Sequence, residues 1–387
     1  MSDGRTGASG TARARGPVPP MPLTVLTGFL GAGKTTLLNR LVRDPALADA
    51  AVLINEFGEI GLDHLLVERV DDNIVMLATG CLCCTMRGDL VDALERLLRD
   101  LDNGRLAFRR VVIETTGLAD PAPVVHTTMV HPYLSQRFRL DGIVTVVDAI
   151  NGMATLDAQR ESVKQVALAD RLVLAKTDLA TGESARAATA ALIERLRALN
   201  PAAPILDAAA GEATAARLID CGLFDPNSRI PDVSRWLAEE AYADAHAREH
   251  GHHHHHDVNR HDERIRAFSF ATDTPIPASM FDMFIELMRS MHGPDMLRLK
   301  GVVKIAEMPD TPVVVHGVQH LFHPTARLER WPDDDHRTRI VCIVRDVDPR
   351  KVQELFDAFL GGVPAADRAD RQAIADNPLV PFGGLDR

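Results

Sequence analysis

A phosphate-binding loop is the clearest chemical signal in this sequence. Residues 28–36 read GFLGAGKTT and fit the pattern G-x-x-x-x-G-K-[ST]. Small residues let backbone N–H groups close around phosphates, and the positive end of the helix that follows favours the same anions. Lys34 would reach the β- and γ-phosphates, and the Thr35 hydroxyl is the hard oxygen ligand that Mg²⁺ prefers. The motif predicts nucleotide phosphate contacts from Gly28, Gly31, Ala32, Gly33, Lys34, Thr35 and Thr36.

A second nucleotide element is an apolar run that ends in an acid. Residues 111–117 read VVIETTG, so Glu114 ends a predicted strand and Gly117 follows three residues later. The carboxylate can hold the water shell of Mg²⁺, and the Gly117 N–H can contact the γ-phosphate. Most P-loop GTPases carry Asp at this position, and an ordinary carboxylate at a strand end is the alternative. We predict Lys34 and Glu114 as catalytic residues, with Thr35 and Glu114 as the Mg²⁺ ligands.

A third element indicates which base is bound. Residues 175–178 read AKTD and follow a short apolar run. GTPases use Asn-Lys-x-Asp at such a strand end, where the Asp carboxylate accepts the guanine N1 and N2 hydrogens. Lys176 and Asp178 therefore predict GTP as the nucleotide. Ala175 departs from the pattern because a methyl group cannot replace the Asn amide, and base affinity should be lower.

A cysteine cluster indicates a second kind of chemistry. Cys81, Cys83 and Cys84 lie within the stretch GCLCC at 80–84 and can supply three soft ligands from one loop. Zn²⁺ binds Cys sulfur in tetrahedral sites, which leaves one position for another group. A redox pair or inert buried thiols are the alternatives. Cys221 and Cys342 are isolated, and core packing is the favoured interpretation for both.

Composition limits the class of protein. The chain has 387 residues, 46% hydrophobic content, five cysteines and a net charge of −11. This charge argues against a nucleic-acid partner, and the cysteines do not form an extracellular disulfide pattern. Residues 1–20 lack an apolar signal region, and no stretch is long enough to span a membrane. We therefore expect a cytoplasmic protein with a disordered N-terminal tail and no membrane partner.

The order of predicted elements indicates two folded domains. Strands and helices alternate over residues 21–212, which predicts a mostly parallel sheet with helices on both faces. Residues 213–262 read as a helical and His-rich linker, and residues 363–387 as a tail. Residues 263–362 combine strand and amphipathic helix patterns. The fold class is α/β, a P-loop GTPase domain followed by a smaller α+β domain. The predicted strands of the two domains are residues 23–27, 52–55, 74–77, 111–114, 142–147 and 172–175 in the first and 265–271, 297–306, 313–318 and 340–344 in the second.

The linker carries a dense group of imidazoles. They are His246, His250, His252, His253, His254, His255, His256 and His261. Such a run resembles a purification tag, yet it lies inside the chain. Neutral imidazole is a common metal ligand and this composition cannot form a core, so we predict a disordered, low-affinity metal-collecting segment.

Several of these motifs together resemble the CobW family of P-loop GTPases, which is related to UreG and HypB. The resemblance rests on the phosphate loop, NEFGE at 55–59, the cysteine cluster, ETTGLADP at 114–121 and the His-rich segment, and extends from Met21 to about Leu360. It implies a metallochaperone that binds Zn²⁺, or Co²⁺ in the cobalamin-linked branch, for a client metalloprotein or a cobalamin-biosynthesis enzyme. The family's metal ligands match Cys81, Cys83, Cys84 and, as an additional ligand, Glu56.

Two other classes of protein remain open at this stage. One is a metal storage or sensing protein that keeps a P-loop scaffold, and the other is a P-loop kinase or ATPase that acts on a small molecule. A homodimer that depends on nucleotide or metal also remains open. His131 lies near a position where the family can use a peripheral His ligand, although a single surface His usually has no metal role.

Overall fold

The computed structural model describes residues 19–55, 67–71, 74–79, 87–219, 264–322 and 325–360. Within these ranges the chain forms two β-sheets, each covered by helices. The described residues contain no helix that is both long and apolar enough to cross a membrane. Outside these ranges lie Glu56, the three clustered cysteines, Cys221, the His-rich segment, residues 1–18 of the N-terminal tail and the C-terminal tail.

The first sheet is a parallel sheet with one antiparallel edge strand. Its order is β3-β4-β2-β5-β1-β6-β7-β8, and only the β3–β4 pairing is antiparallel among these strands. The predicted mostly parallel sheet is confirmed, and the two edge strands β3 and β8 are additions that were not predicted. The strands are β1 Met21–Gly28, β2 Ala50–Asn55, β3 Val67–Asp71, β4 Ile74–Thr79, β5 Arg110–Glu114, β6 Phe138–Asp148, β7 Arg171–Ala175 and β8 Ile205–Asp207.

Helices cover both faces of this sheet because its strands are apolar on both faces. In β1, Val25 packs in one core cluster with Leu94, while Leu26 packs in another with Leu38. Near-continuous burial of this kind is typical of parallel strands. The helices are α1 Lys34–Leu41, α2 Arg87–Asp102, α3 Ala122–Val130, α4 Leu134–Arg137, α5 Gly152–Ala158, α6 Arg160–Leu168, α7 Glu183–Leu199 and α8 Ala215–Leu218, with 3-10 turns at Pro45–Leu47 and Thr177–Leu179.

Packing of the first unit continues past residue 212, where we placed the start of the linker. Ala213, Ala215 and Leu218 are buried in the cluster that contains Leu38. Arg40 supports this packing, because its guanidinium donates to the carbonyl oxygens of Ala208 and Ala213 at 2.8 and 2.7 Å. The first residues of the expected linker are therefore part of this core.

The second sheet is antiparallel and follows the order β12-β11-β10-β14-β9, with β13 paired to β11. Helices α9 and α10 pack on it through an aromatic cluster, in which the ring centroids of Phe270 and Phe356 lie 4.2 Å apart. The predicted α+β fold is confirmed, and Cys342 is fully buried in this core. The elements are β9 Ile265–Thr272, α9 Ala278–His292, β10 Met296–Val303, β11 Val313–Val318, β12 Leu321–Phe322, β13 Ala326–Arg327, β14 Thr338–Arg345 and α10 Pro349–Leu360.

The two sheets share a buried interface. Leu297, Val318 and Ile343 of the second sheet belong to the same core cluster as Leu168, which ends α6. Beside this apolar contact, the Asp170 carboxylate pairs with Arg298 and Lys300 of β10. The end of α6 and the residues after it are therefore held against the C-terminal sheet.

Candidate functional site

The phosphate loop connects β1 to α1 and requires glycine at its first position. Gly28 has φ 142°, and a Cβ placed there would lie 2.3 Å from the Val146 carbonyl oxygen. Since L residues rarely adopt this φ and the obstacle is backbone, no other residue fits. Gly33, with φ 100°, immediately precedes α1. The loop therefore ends at a helix N-terminus, where backbone N–H groups and the helix dipole favour an anion.

Lys34 is the first residue of α1 and lies against the loop. Its side chain is buried, and Nζ donates to the carbonyl oxygens of Gly28 at 2.9 Å and Phe29 at 3.2 Å. The ammonium is therefore held beside the backbone that would surround the phosphates. A triphosphate would offer it charged oxygens, and a hydrogen bond between two charged groups is roughly twice as strong as one between neutral groups.

Thr35 and Glu114 bring two oxygen ligands together. Thr35 Oγ1 donates to Glu114 Oε1 at 2.8 Å, and the Glu114 residue is 4% exposed. Adjacent ligands of an octahedral Mg²⁺ ion, at ~2.05 Å from the metal, lie about 2.9 Å apart. The donor types and their spacing therefore fit Mg²⁺, which Thr35 and Glu114 would hold next to the phosphate loop.

The segment after β5 lies directly on the phosphate loop. The Thr115 N–H donates to the Leu26 carbonyl at 2.9 Å, and the Thr115 hydroxyl donates to Thr27 Oγ1 at 2.8 Å. A Cβ on Gly117 would lie 2.5 Å from the Leu30 backbone nitrogen. Only glycine allows the two backbones to approach this closely. The Gly117 N–H, which is the predicted γ-phosphate contact, therefore lies beside the phosphate loop.

Helix α6 also holds this segment, a contact that no sequence motif predicted. Gln165 Nε2 donates to the carbonyl oxygens of Gly117 at 3.2 Å and Ala119 at 2.9 Å, and the residue is 1% exposed. Next to it, the Lys164 ammonium pairs with the Asp120 carboxylate. The detectable signal was a Gln close to Val163, Val166 and Leu168, the apolar residues of an otherwise ordinary amphipathic helix.

Lys176 joins the base-binding element to the phosphate loop. It has φ 66°, and its Nζ donates to the Gly31 carbonyl and to Asp148 Oδ2, both at 2.7 Å. Asp148 also accepts from the backbone N–H of Ile150 at 2.8 Å. Burial acts to raise the pKa of Asp148, but hydrogen bonds, led by that from Lys176, outweigh it and lower the pKa. Asp148 is therefore an ionised anchor for Lys176, and it was not predicted.

Asp178 is exposed in the 3-10 turn that follows β7, where a base would be read. The preceding Thr177 hydroxyl donates to Asp207 Oδ1 at 2.7 Å. Asp207 ends β8, and its Oδ1 also accepts from the Ala209 N–H at 2.8 Å. The loop after β8 is therefore tied to the base-binding turn. Ala175, the departure from the GTPase pattern, is buried at the end of β7.

The structure thus brings the predicted nucleotide residues to one edge of the sheet. At or just beyond the carboxyl ends of β1, β5 and β7 lie the phosphate loop, Glu114, Gly117, Lys176 and Asp178. Ligands bind at this edge in open α/β folds, near the point where the strand order reverses. Thr36 is exposed on the first turn of α1, next to Thr35.

The predicted cargo-metal ligands cannot be placed in the same way, because Cys81, Cys83, Cys84 and Glu56 lie outside the described residues. Within the described ranges, no group of three or more His, Cys, Asp and Glu side chains could hold a metal ion. His131 follows α3, and its Nδ1 accepts from the Leu134 N–H at 3.5 Å. This is a local turn contact, and a metal role for His131 stays a prediction.

Comparison with known proteins gives consistent matches over most of the chain. Residues 22–207 match the family model described as CobW/HypB/UreG, nucleotide-binding domain, and residues 265–360 match the cobalamin synthesis protein CobW C-terminal domain. The zinc chaperone YjiA of Escherichia coli is 33% identical over 339 residues, covering 87% of this chain and 98% of YjiA. The zinc-regulated GTPase metalloprotein activator 1 of Schizosaccharomyces pombe is 41% identical over 172 residues, covering 43% of this chain and 41% of the relative.

A solved structure supports the same assignment. The crystal structure of Zn(II)-bound YjiA GTPase from E. coli superposes with a TM-score of 0.63 at 27% identity, covering 88% of this chain and 99% of that one. The sequence matches and the fold agree across both sheets. The phosphate loop, Glu114 and the base-binding turn lie at one edge of the first sheet. The chain therefore belongs to the CobW/HypB/UreG family of P-loop GTPases.

Proposed function

We propose that this protein is a GTP-hydrolysing metallochaperone that carries Zn²⁺, or Co²⁺, on the thiolates of Cys81, Cys83 and Cys84. It delivers the ion to a client metalloprotein or a cobalamin-biosynthesis enzyme in the cytoplasm. The zinc chaperone YjiA, which aligns with almost the whole chain, supports this class of function. A homodimer that depends on nucleotide or metal belongs to the same proposal.

The order of four neighbouring strands carries the proposal. In the sheet the order is β4-β2-β5-β1, and the loops that follow these strands contain the cysteines, Glu56, Gly117 and the phosphate-binding residues. Asn55 and Thr79 are register partners at the ends of β2 and β4. Neighbouring strands lie about 4.8 Å apart, so the chain enters the Glu56 and cysteine loops side by side. Glu56 is one residue beyond this pair and Cys81 is two residues beyond it.

The same register connects the metal ligands to the hydrolytic site. Ile54 of β2 is paired with Glu114 of β5, and Glu114 is paired with Leu26 of β1. Glu56 therefore follows, by two residues, a position that adjoins the Mg²⁺ ligand. A γ-phosphate with its metal ion can order a loop that relaxes after hydrolysis, and such a change would move Glu56 toward or away from the thiolates.

Hydrolysis would use residues that the structure holds together. Bound Mg²⁺ would neutralise charge on the β- and γ-phosphate oxygens. Lys34 stabilises negative charge that develops on the transferred phosphate, and the Gly117 N–H contacts the same group. Glu114 positions the attacking water. No arginine finger is identifiable in the sequence, so turnover by the isolated protein should be slow.

GTP turnover with and without stoichiometric metal tests this proposal against its rivals. A metallochaperone should show hydrolysis that changes with Zn²⁺ or Co²⁺, since the cargo site adjoins the nucleotide site. A storage or sensing protein would hydrolyse at the same rate with and without metal. A small-molecule kinase or ATPase would use ATP in preference to GTP.

A further inference from the structure

We propose that Gln165 and Lys164 of α6 are positioning residues for GTP hydrolysis. They hold the segment from Gly117 to Asp120 in the place where it meets the γ-phosphate. The inference rests on the GTPase activity of the family and concerns residues to which the sequence motifs assigned no role.

Gln165 is built to hold a backbone segment. Both of its contacts, the carbonyl oxygens of Gly117 and Ala119, are acceptors, so the amide NH₂ must face them. The Gln165 residue is 1% exposed, and its Oε1 has no hydrogen-bond partner within the described residues. Burying an amide without full pairing is costly. Since leucine would fill the position without that cost, the two donors are the property that glutamine adds here.

The segment from Thr115 to Ala119 is packed so closely on its neighbours that moving it would disrupt the phosphate-binding region. The Gly117 backbone is close enough to Leu30 that a Cβ would meet the Leu30 nitrogen at 2.5 Å. Thr115, two residues earlier, is tied to β1 by hydrogen bonds. The segment is therefore fixed to β1 at Thr115 and to α6 at Gly117 and Ala119. The Gly117 N–H lies between these two attachments.

Lys164 adds a second attachment at the far end of the segment. Its ammonium pairs with Asp120 Oδ2, while Asp120 Oδ1 accepts from the Ala122 N–H at 3.0 Å at the start of α3. The Lys164 side chain is 19% exposed, so this pair is more solvated than the Gln165 contacts. We expect its effect to be smaller than that of Gln165.

Helix α6 can serve as a fixed support because its other end is also held. The carbonyl oxygen of Leu168, its last residue, accepts from Arg298 Nη1 of the C-terminal sheet. Asn200 Nδ2 donates to the carbonyl oxygens of Val166 and Ala169 at 2.8 and 2.9 Å. We therefore expect this nine-residue helix to move little when the bound nucleotide changes.

The test is to measure kcat for GTP, and the affinities for GDP and a non-hydrolysable GTP analogue, in Gln165→Leu. We expect kcat to fall about 10- to 30-fold, which corresponds to ~1.4–2 kcal/mol. The affinity for the GTP analogue should fall about 3- to 10-fold relative to the affinity for GDP, because GDP lacks the phosphate that Gly117 contacts. GDP affinity should stay within about twofold of wild type. A general loss of structure would weaken GDP binding as well.

Two further variants keep the inference testable. Gln136→Leu is the matched control, since Gln136 is exposed on α4, and all three values should stay at wild-type level. Lys164→Met should lower kcat about threefold with unchanged GDP affinity, as expected for loss of roughly one solvated ion pair. If Gln165→Leu does not fold, kcat and GDP affinity of Lys164→Met test the positioning role, and an unchanged kcat would overturn it.

The outcomes separate this inference from the proposed function. A wild-type protein that hydrolyses GTP, together with Gln165→Leu of unchanged kcat and analogue-to-GDP ratio, would overturn the positioning role alone. A wild-type protein without GTP turnover would overturn the proposed function itself.

Discussion

Replacing Asp170 with asparagine should destabilise the protein strongly, because this carboxylate balances two buried cations. Arg298 and Lys300 both pair with its Oδ1, the latter at 2.7 Å. Both side chains are almost fully buried, with exposures of 2% for Arg298 and 8% for Lys300. Asp170 Oδ2 also accepts from the Ile143 N–H at 2.9 Å. The amide that replaces the carboxylate would keep one acceptor oxygen but no charge.

The size of the effect follows from burial. Breaking a buried ion pair by removing one partner costs ~3–5 kcal/mol, because the remaining charge is left without compensation. Here two cations lose the carboxylate, although Lys300 can release its proton. Burial lowers the pKa of Lys300 while the Asp170 charge opposes that shift, so the substitution should lower this pKa further. For a domain of about 150–250 residues, ~3–5 kcal/mol corresponds to a fall of roughly 6–20 °C in melting temperature.

Thermal melts followed by far-ultraviolet circular dichroism provide the assay, with Asp102→Asn as the control. Asp102 pairs with Arg137 through two hydrogen bonds, at 2.7 and 2.9 Å, but its side chain is 50% exposed. A solvated pair contributes ~0.2–1 kcal/mol, so the control should melt within about 4 °C of wild type. An Asp170→Asn melt as close to wild type as the control would refute the buried-charge argument.

The pH dependence gives an independent check. Burial acts to raise the pKa of Asp170, but the charges of Arg298 and Lys300 outweigh it and hold the pKa well below its usual range. Because the folded-state pKa is depressed, this stabilisation is present above the unfolded value of ~3.9 and is lost as pH falls toward the folded value. The part of the melting-temperature difference between wild type and Asp170→Asn that comes from this carboxylate should therefore narrow below about pH 4.

Other predictions concern the two binding functions. Lys34→Ala should reduce GTP hydrolysis below one tenth of wild type with an unchanged circular dichroism spectrum, and higher turnover would count against the phosphate site. Deleting residues 250–256 should lower total metal capacity in equilibrium dialysis but retain the tightest site; loss of that site would contradict the cysteine assignment. Guanine selectivity should persist despite Ala175, because the Asp178 carboxylate can reject adenine by up to ~10⁴-fold, while a lost Asn contact costs roughly 1–3 kcal/mol. Equal displacement of labelled GTP by ATP and GTP would contradict this.

Local patterns were sufficient to predict the framework of the nucleotide site. The phosphate loop, Glu114 and Asp178 each lie in a short motif whose chemistry depends on neighbours in sequence. Strand and helix periodicity predicted the parallel sheet as well, because its strands are apolar on both faces. The edge strands β3 and β8 were missed, since five residues of mixed charge and a run of only three residues both give weak strand patterns.

Contacts between distant residues could not be predicted in this way. Gln165 lies 48 residues from Gly117, and Arg298 lies 128 residues from Asp170. No motif connects such positions, and a buried polar residue in an amphipathic helix has many possible partners. Asp148 and Asp207 were missed for the same reason, since each acts by orienting a residue of the base-binding turn. Such contacts follow from the tertiary structure, which brings elements that are distant in sequence, such as α6 and β10, next to each other.

Coupling between the nucleotide state and cargo-metal affinity is the central feature of the proposed function. Competitive chelator titrations of wild type and Cys83→Ser, each with GDP and with a non-hydrolysable GTP analogue, give the four affinities needed. Wild type should bind metal about 5- to 150-fold differently in the two nucleotide states, the range of typical couplings. Cys83→Ser should bind metal weakly in both states with nearly unchanged GTP affinity, because a hydroxyl replaces a soft anionic ligand. Equal wild-type metal affinities with GDP and the GTP analogue would contradict the switch mechanism.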